Sequence, residues 1–313
     1  MIEKASGFMK NKKKALIVEG GGMKGTFAGG ALAIMSNIHP SHHFDIVVGV
    51  SSGSCSAAYY VTHGVKDTSK IFNNLNVWRH ELSGKKLINF LNPLKGKTFL
   101  NQEYLVDFLF GEKYPLPLEN LDQKKAVPFY IVVSNMKTML PEYIRITSKN
   151  ILSVLKAATA VPIATKGKHT LGDKVYSDGA LLDPIPIEPV LDAGYKDITV
   201  VLNNPIYHKA KKYSKWLSNL SFPGNKQAIW AMQNYHHVRY NRAMEILNNP
   251  PKDVTIKVIA PDEKLPTGLL VTDTKKLNLS VDLGMEAAKK FFQKNSSKIK
   301  NFLESVQHFH FRN

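Results

Sequence analysis

Disulfides play no part within this chain, which has a single cysteine, Cys55, in 313 residues. A lone thiol fits a reducing compartment without proving one. Its neighbours, Ser54-Cys55-Ser56-Ala57-Ala58, mark a packed core position rather than a reactive one. Long apolar runs are missing too; nothing approaches the roughly 20 residues that span a bilayer. The basic start, Met1 to Lys14, is followed only by Ala15-Leu16-Ile17-Val18 before Glu19. A signal peptide needs about 7–15 apolar residues there. The expectation is a cytoplasmic chain, one held peripherally at a membrane, or one exported without a cleaved leader. Acidic residues are scarce: 25 Asp and Glu stand against 42 Lys and Arg, for a net charge of +17. That excess attracts polyanions, whether nucleic acid, anionic lipid head groups or acidic proteins. Zinc-ligand spacings and RNA-binding aromatic signatures are both lacking, so nucleic acid is not the expected partner.

What is present is an alternation. Ala15–Glu19, Phe44–Gly49, Phe129–Asn135, Ile198–Leu202 and Val254–Ile259 are short apolar runs rich in β-branched residues. Such runs suit strands buried on both faces. Helical patterns lie between them at Phe27–Met35, Ser54–Thr62, Tyr104–Phe110, Ile151–Ala158 and Ile187–Ala193. Alternating strands and helices argue for an α/β fold with a largely parallel sheet. With no repeat and no low-complexity linker, the chain reads as a basic tail, residues 1–13, and one domain over 14–313. Tyr207–Asn248 reads as a helical cap or insertion within it.

Three motifs carry chemistry. Gly20-Gly21-Gly22-Met23-Lys24-Gly25 follows the first strand and opens a helix. A dinucleotide site would have this form, but it wants an acid at the far end of the second strand. Asp45 sits at the near end, and Thr26 stands where a phosphate-binding lysine would follow Gly25. The other use of such a loop is an oxyanion hole, with backbone N–H groups converging on one spot ahead of a helix N-terminus. Lys24 opposes that helix dipole unless an anion lies near; otherwise it is a solvated charge.

Gly49-Val50-Ser51-Ser52-Gly53 comes next, between a strand-like run and a run of small residues. Strand, sharp turn and helix lift a serine Oγ clear of a sheet. A serine needs a base. His208, His236, His237 and His308 lie in no recognisable loop signature, and His236-His237 reads as a surface or interface pair. A carboxylate base is therefore considered, and Ser177-Asp178-Gly179-Ala180 follows a short strand-like Lys174-Val175-Tyr176. Asp173 and Asp183 compete with it, and taken singly an Asp-Gly pair is a plain turn.

In this order the three motifs resemble the patatin-like phospholipase family, whose signature is a G-x-G-x-x-G loop, a G-x-S-x-G elbow and a D-G-[AG] motif. Ala157-Ala158-Thr159-Ala160-Val161-Pro162 and Asp183-Pro184-Ile185-Pro186-Ile187 extend the resemblance, which covers residues 14–205 and loosens beyond. It implies a three-layer α/β/α core with a mostly parallel central sheet. It also implies a Ser–Asp dyad without histidine: Ser51 as nucleophile, Asp178 as proton acceptor, and Gly20, Gly21 and Gly22 as the oxyanion loop. Lys24, Gly25, Gly49, Gly53, Gly179 and Ala180 support these motifs, and no metal or cofactor enters the chemistry. The implied substrate is a phospholipid or another fatty-acyl ester. Peripheral contact with an anionic membrane is expected of the lysine- and aromatic-bearing stretch Tyr207 to Trp216. The alternative is a catalytically idle lipid-binding or scaffold protein on the same fold.

Overall fold

The computed structural model describes Ile2, residues 13–63 and residues 75–293. Most of the basic tail and His308 lie outside these residues. Five parallel strands form the centre of the sheet, in the spatial order β3-β2-β1-β7-β8. They are β1 (Lys14–Val18), β2 (Ile46–Val50), β3 (Phe129–Asn135), β7 (Asp197–Val201) and β8 (Thr255–Ile259). Because side chains alternate along a strand, each buried strand feeds two cores. Leu16 and Val18 of β1, with Phe129, Ile131 and Val133 of β3, join the core under one face. Ala15 and Ile17, with Tyr130 and Val132, join the core under the other. Helices α1 (Gly25–Ile38), α2 (Ser52–Thr62), α3 (Glu103–Lys113), α4 (Ile151–Ala158) and α9 (Thr274–Gln293) cover the first face. Helices α5 (Ile187–Asp192) and α8 (His236–Asn248) cover the second. The result is a three-layer α/β/α fold around a mostly parallel sheet.

Helix α3 is π-helical, as is the short turn Val77–Glu81. Within Tyr207–Asn248 the chain forms α6 (Lys215–Ser221), α7 (Lys226–Trp230), a π-helical turn and α8. A third, smaller core joins Phe222, Ala228 and Met232 to Leu181 and Leu182, just past the Asp178 motif. Helix α9 packs on α1 backbone to backbone: a Cβ on Gly284 would lie 2.0 Å from the carbonyl oxygen of Phe27.

The antiparallel strands explain the site. β4 (Pro141–Arg145) pairs with Tyr130–Ser134 of β3, and β6 (Lys174–Asp178) pairs with Val133–Asn135. β2 pairs with Phe129–Val132. Val133 and Ser134 thus pair with both β4 and β6, so those two strands flank β3 on opposite sides. The same overlap separates β4 from β2. β2 and β6 therefore share one edge of β3, end to end and running toward each other. β5 (His169–Leu171) closes a hairpin on β6.

Candidate active site

β2 stops at Val50, and α2 begins at Ser52. Ser51 makes the turn between them with φ 50° and ψ −130°, a strained conformation for a residue with a side chain. Close packing holds it there. A Cβ on Gly53 would sit 2.5 Å from the carbonyl oxygen of Val18 and closer still to that of Glu19, and one on Gly49 would sit 2.7 Å from Cα of Ser54. Both positions exclude any side chain. Ser54 N–H closes the turn by donating to the carbonyl of Ser51 at 2.9 Å.

Val50 pairs with Val132, and Asp178 pairs with the next residue, Val133. The end of β6 thereby faces the end of β2. Ser51 Oγ donates to Oδ2 of Asp178 at 2.5 Å, and the N–H of Ala180 donates to Oδ1 at 2.8 Å. Gly179 lies against the carbonyl of Val132, where a Cβ would come within 2.2 Å. Asp178 is buried. Burial pushes its carboxyl up to about 6, and the hydrogen bonds from Ser51 and Ala180 restrain the rise.

The glycine loop passes beside this pair. A Cβ on Gly20 would lie 2.7 Å from that of Ser51, and Gly25 lies against Ser52 Oγ. Gly22 has φ 57°, a left-handed conformation that favours glycine. Met23 N–H donates to the carbonyl of Leu269 at 3.1 Å, and Lys24 N–H to that of Gly21 at 3.2 Å. The N–H groups of Gly20, Gly21 and Gly22 find no protein acceptor among the described residues.

A buried network braces the loop from behind. Asn203 Nδ2 donates to the carbonyls of Glu19 (2.7 Å) and Gly20 (3.2 Å), and Asn203 Oδ1 accepts from Ala28 N–H (3.1 Å). The Glu19 carboxylate accepts from Asn203 N–H, Asn204 Nδ2 and Tyr240 OH. Burial raises its pKa, and those donors and nearby Lys24 oppose the rise. Lys24 Nζ donates to Asn204 Oδ1 at 2.7 Å. Burial lowers the pKa of Lys24, and its attraction to Glu19 opposes that fall. Neither Glu19 nor Asn203 is marked by the three motifs; the one visible hint is a carboxylate ending an apolar strand.

An apolar cleft has Ser51 in its lining and is walled by Trp78, Leu82, Leu87, Leu100, Leu269 and Cys55. It measures about 40 Å³, far below the roughly 300–1,000 Å³ of sites that enclose a drug-sized ligand. Cys55 is a buried wall residue whose thiol burial pushes up to about 12, so it stays protonated.

The other acids and the histidines take different places. Asp183 is buried against Tyr143 OH (2.6 Å) and Arg239 Nε (3.3 Å). Asp173 lies exposed in the β5–β6 turn. His208 stands edge-on to Tyr240. His236 is half-buried at a contact within the fold: its Nδ1 lies 2.8 Å from the carbonyl oxygen of Ala180, and Tyr213 tilts over its ring. Burial lowers its pKa. Its helix packs over the Asp178 motif, a tertiary contact that leaves no trace in local sequence. Among the described residues, no group of three His, Cys, Asp or Glu side chains is placed to hold a metal ion. No described helix is long and apolar enough to cross a membrane.

A strained serine at the carboxyl end of a parallel strand, bonded to a buried aspartate beside a glycine loop, is the arrangement the three motifs foreshadow. The model of the patatin-like phospholipase family matches residues 16–191. The chain belongs to that family, a family of lipid hydrolases. A second model, a domain of unknown function (DUF6363), matches residues 226–304. Over 265 residues the chain is 24% identical to the uncharacterized protein YjjU of Escherichia coli (strain K12), covering 80% of this chain and 69% of that protein. The crystal structure of VipD from Legionella pneumophila aligns with a TM-score of 0.45 at 14% identity, over 91% of this chain and 67% of VipD.

Proposed function

We propose that this protein is a serine acyl hydrolase that cleaves fatty-acyl esters, of phospholipase A, lysophospholipase or carboxylesterase type, through Ser51 and Asp178. The observation that carries this reading is the 2.5 Å hydrogen bond from Ser51 Oγ to Asp178 Oδ2 on a buried, desolvated carboxylate. A serine hydroxyl is a weak nucleophile until a base takes its proton. A carboxylate lifted to about 6 is a better base than one in water and still ionised at neutral pH.

Oγ attacks the ester carbonyl as its proton passes to Asp178. The carbonyl oxygen, now negative, turns toward the unpaired N–H groups of Gly20, Gly21 and Gly22. Each preorganised donor in such a site is worth roughly 3–4 kcal/mol in the transition state. Collapse of the tetrahedral intermediate breaks the ester bond, and the leaving alcohol receives the proton from Asp178. Water then gives its proton to Asp178 as it attacks the acyl-enzyme, and the fatty acid departs with Ser51 restored. The apolar cleft is the seat of the acyl chain in this reading, and it must widen to admit one. Residues 14–313 act as one hydrolase unit, with 207–248 as a cap over the Asp178 side.

The test is release of fatty acid from a phospholipid and of alcohol from a soluble short-chain ester, wild type beside Ser51→Ala. Hydrolysis by the wild type alone is expected. Absence of hydrolysis of every ester by the wild type, or equal hydrolysis by the variant, would overturn the reading.

A further inference from the structure

The walls of the cleft continue into a hairpin whose tip is exposed. Ile88 and Leu100 form an antiparallel bridge, Asn89 N–H donates to Phe99 O at 2.9 Å, and Asn101 N–H donates to Leu87 O at 2.8 Å. Leu87 and Leu100, at its base, line the same cleft as Ser51. The base is also tied to the body, since Leu100 N–H donates to Ala164 O and Gly84 N–H to Thr272 O. Residues 90–98 form the tip, turned by Asn92–Lys95 and by Gly96 at φ 69°.

The tip contradicts the ordinary rule for loops. Phe90 is 57% exposed, Leu91 55% and Leu94 84%. Large exposed apolar side chains gathered on one element mark an interaction site. Charge narrows the partner. Between Leu82 and Gln102 the chain carries Lys85, Lys86, Lys95 and Lys97 and no acidic residue. All four lysines are exposed. Lys166 and Lys168 are exposed as well, in the segment to which Leu100 is bonded. An apolar tip between lysine collars suits a surface that is negative outside and hydrocarbon inside. A protein partner would have to supply both an apolar pocket and an acidic rim, whereas an anionic bilayer presents both layers everywhere.

We infer that the Phe90–Thr98 tip docks this protein on an anionic lipid bilayer, with Phe90, Leu91 and Leu94 entering the acyl region and the flanking lysines meeting the head groups. The membrane contact then sits on the hairpin rather than on Tyr207–Trp216. The same movement that inserts the tip pulls on Leu87 and Leu100 and gives the closed cleft a route to open toward lipid. This inference rests on the cleft being the acyl site, but its first readout is binding and needs no turnover.

The experiment uses the full chain with vesicles of phosphatidylcholine, with and without phosphatidylserine, in a flotation assay. Four proteins are compared: wild type, F90S/L91S/L94S, K85Q/K86Q/K95Q/K97Q, and W216S/L220S/W230S as a second exposed apolar surface. Wild type is expected to float with the anionic vesicles and to release them in salt. Both hairpin variants should lose at least roughly tenfold in partitioning, while circular dichroism and hydrolysis of a soluble ester stay at wild-type level. Wild-type partitioning in the hairpin variants, loss confined to the Trp216 variant, or failure of the wild type to bind anionic vesicles would each overturn the inference. Failure of the hydrolase reading shows separately, as a wild type that binds vesicles but cleaves no soluble ester.

Discussion

Ser51 and Asp178 are 127 residues apart in the chain and share a hydrogen bond of 2.5 Å. They meet because β2 and β6 occupy the same edge of β3 from opposite ends, with Val50 opposite Val132 and Asp178 opposite Val133. Their contact is thus a property of strand register. A one-residue slip of β6 would turn Asp178 to the other face of the sheet. Burial of Tyr176, Ser177 and Asp178, the three β6 residues that pair with β3, protects against that slip.

Removing either member should abolish turnover and leave the fold. Ser51→Ala and Asp178→Asn are each expected to lower kcat/KM on a soluble ester by at least about a thousandfold. Initial rates and thermal melting of the purified variants check this; full activity in either variant would remove that residue from the chemistry.

Activity should rise with pH through about 6, the value to which burial lifts Asp178. The base works only as the carboxylate, so protonation below that point removes it. The pH profile of kcat/KM on an uncharged ester is expected to show one ascending limb there. An ascending limb near 4, the ordinary aspartate range, would mean that Asp178 is solvated during catalysis.

The same burial predicts a stability effect. The folded-state pKa of Asp178 lies above its unfolded value, so holding the charge in the fold is unfavourable. That cost is complete above about pH 6 and absent below about 3.8. Asp178→Asn should therefore be more stable than wild type at pH 8, by up to about 3 kcal/mol. The difference should vanish as pH falls through this window, which denaturant melts at pH 8 and pH 3.5 would read.

Asn203 tests the bracing of the loop. Its side chain ties the Glu19 and Gly20 carbonyls to the N–H of Ala28. Asn203→Ala should reduce kcat by up to about 100-fold through misplaced N–H groups, with KM little changed. Loss of these buried bonds should also destabilise by about 1–3 kcal/mol. Unchanged kcat would mean that the glycine loop holds its shape without Asn203.

The sequence disclosed what is local. Ala15–Val18 and Ile46–Val48 are too apolar and too short for anything but buried strands, and the small residues around Ser51 announce a tight turn. What it concealed depends on pairing. β4 begins at a proline and has no buried residue along its length, so it lacks the apolar run that marked its neighbours. Helix α9 carries its core contacts at Leu277, Val281, Gly284, Met285, Ala288 and Phe292, but lysines and small residues between them dilute the pattern. Glu19 read as the polar end of a strand; only the fold brings Asn203, Asn204 and Tyr240 to its carboxylate. His236 read as a surface or interface residue without a named partner, because that partner, Ala180, comes from 56 residues away.

The most direct test is labelling with a fluorophosphonate probe, wild type beside Ser51→Ala. Such a probe reacts with a serine only when a base has activated it. The account predicts one covalent adduct, on Ser51 of the wild type, forming faster as pH rises through about 6, and none on the variant. An adduct on another residue, or none on the folded wild type in the presence of lipid vesicles, would contradict it.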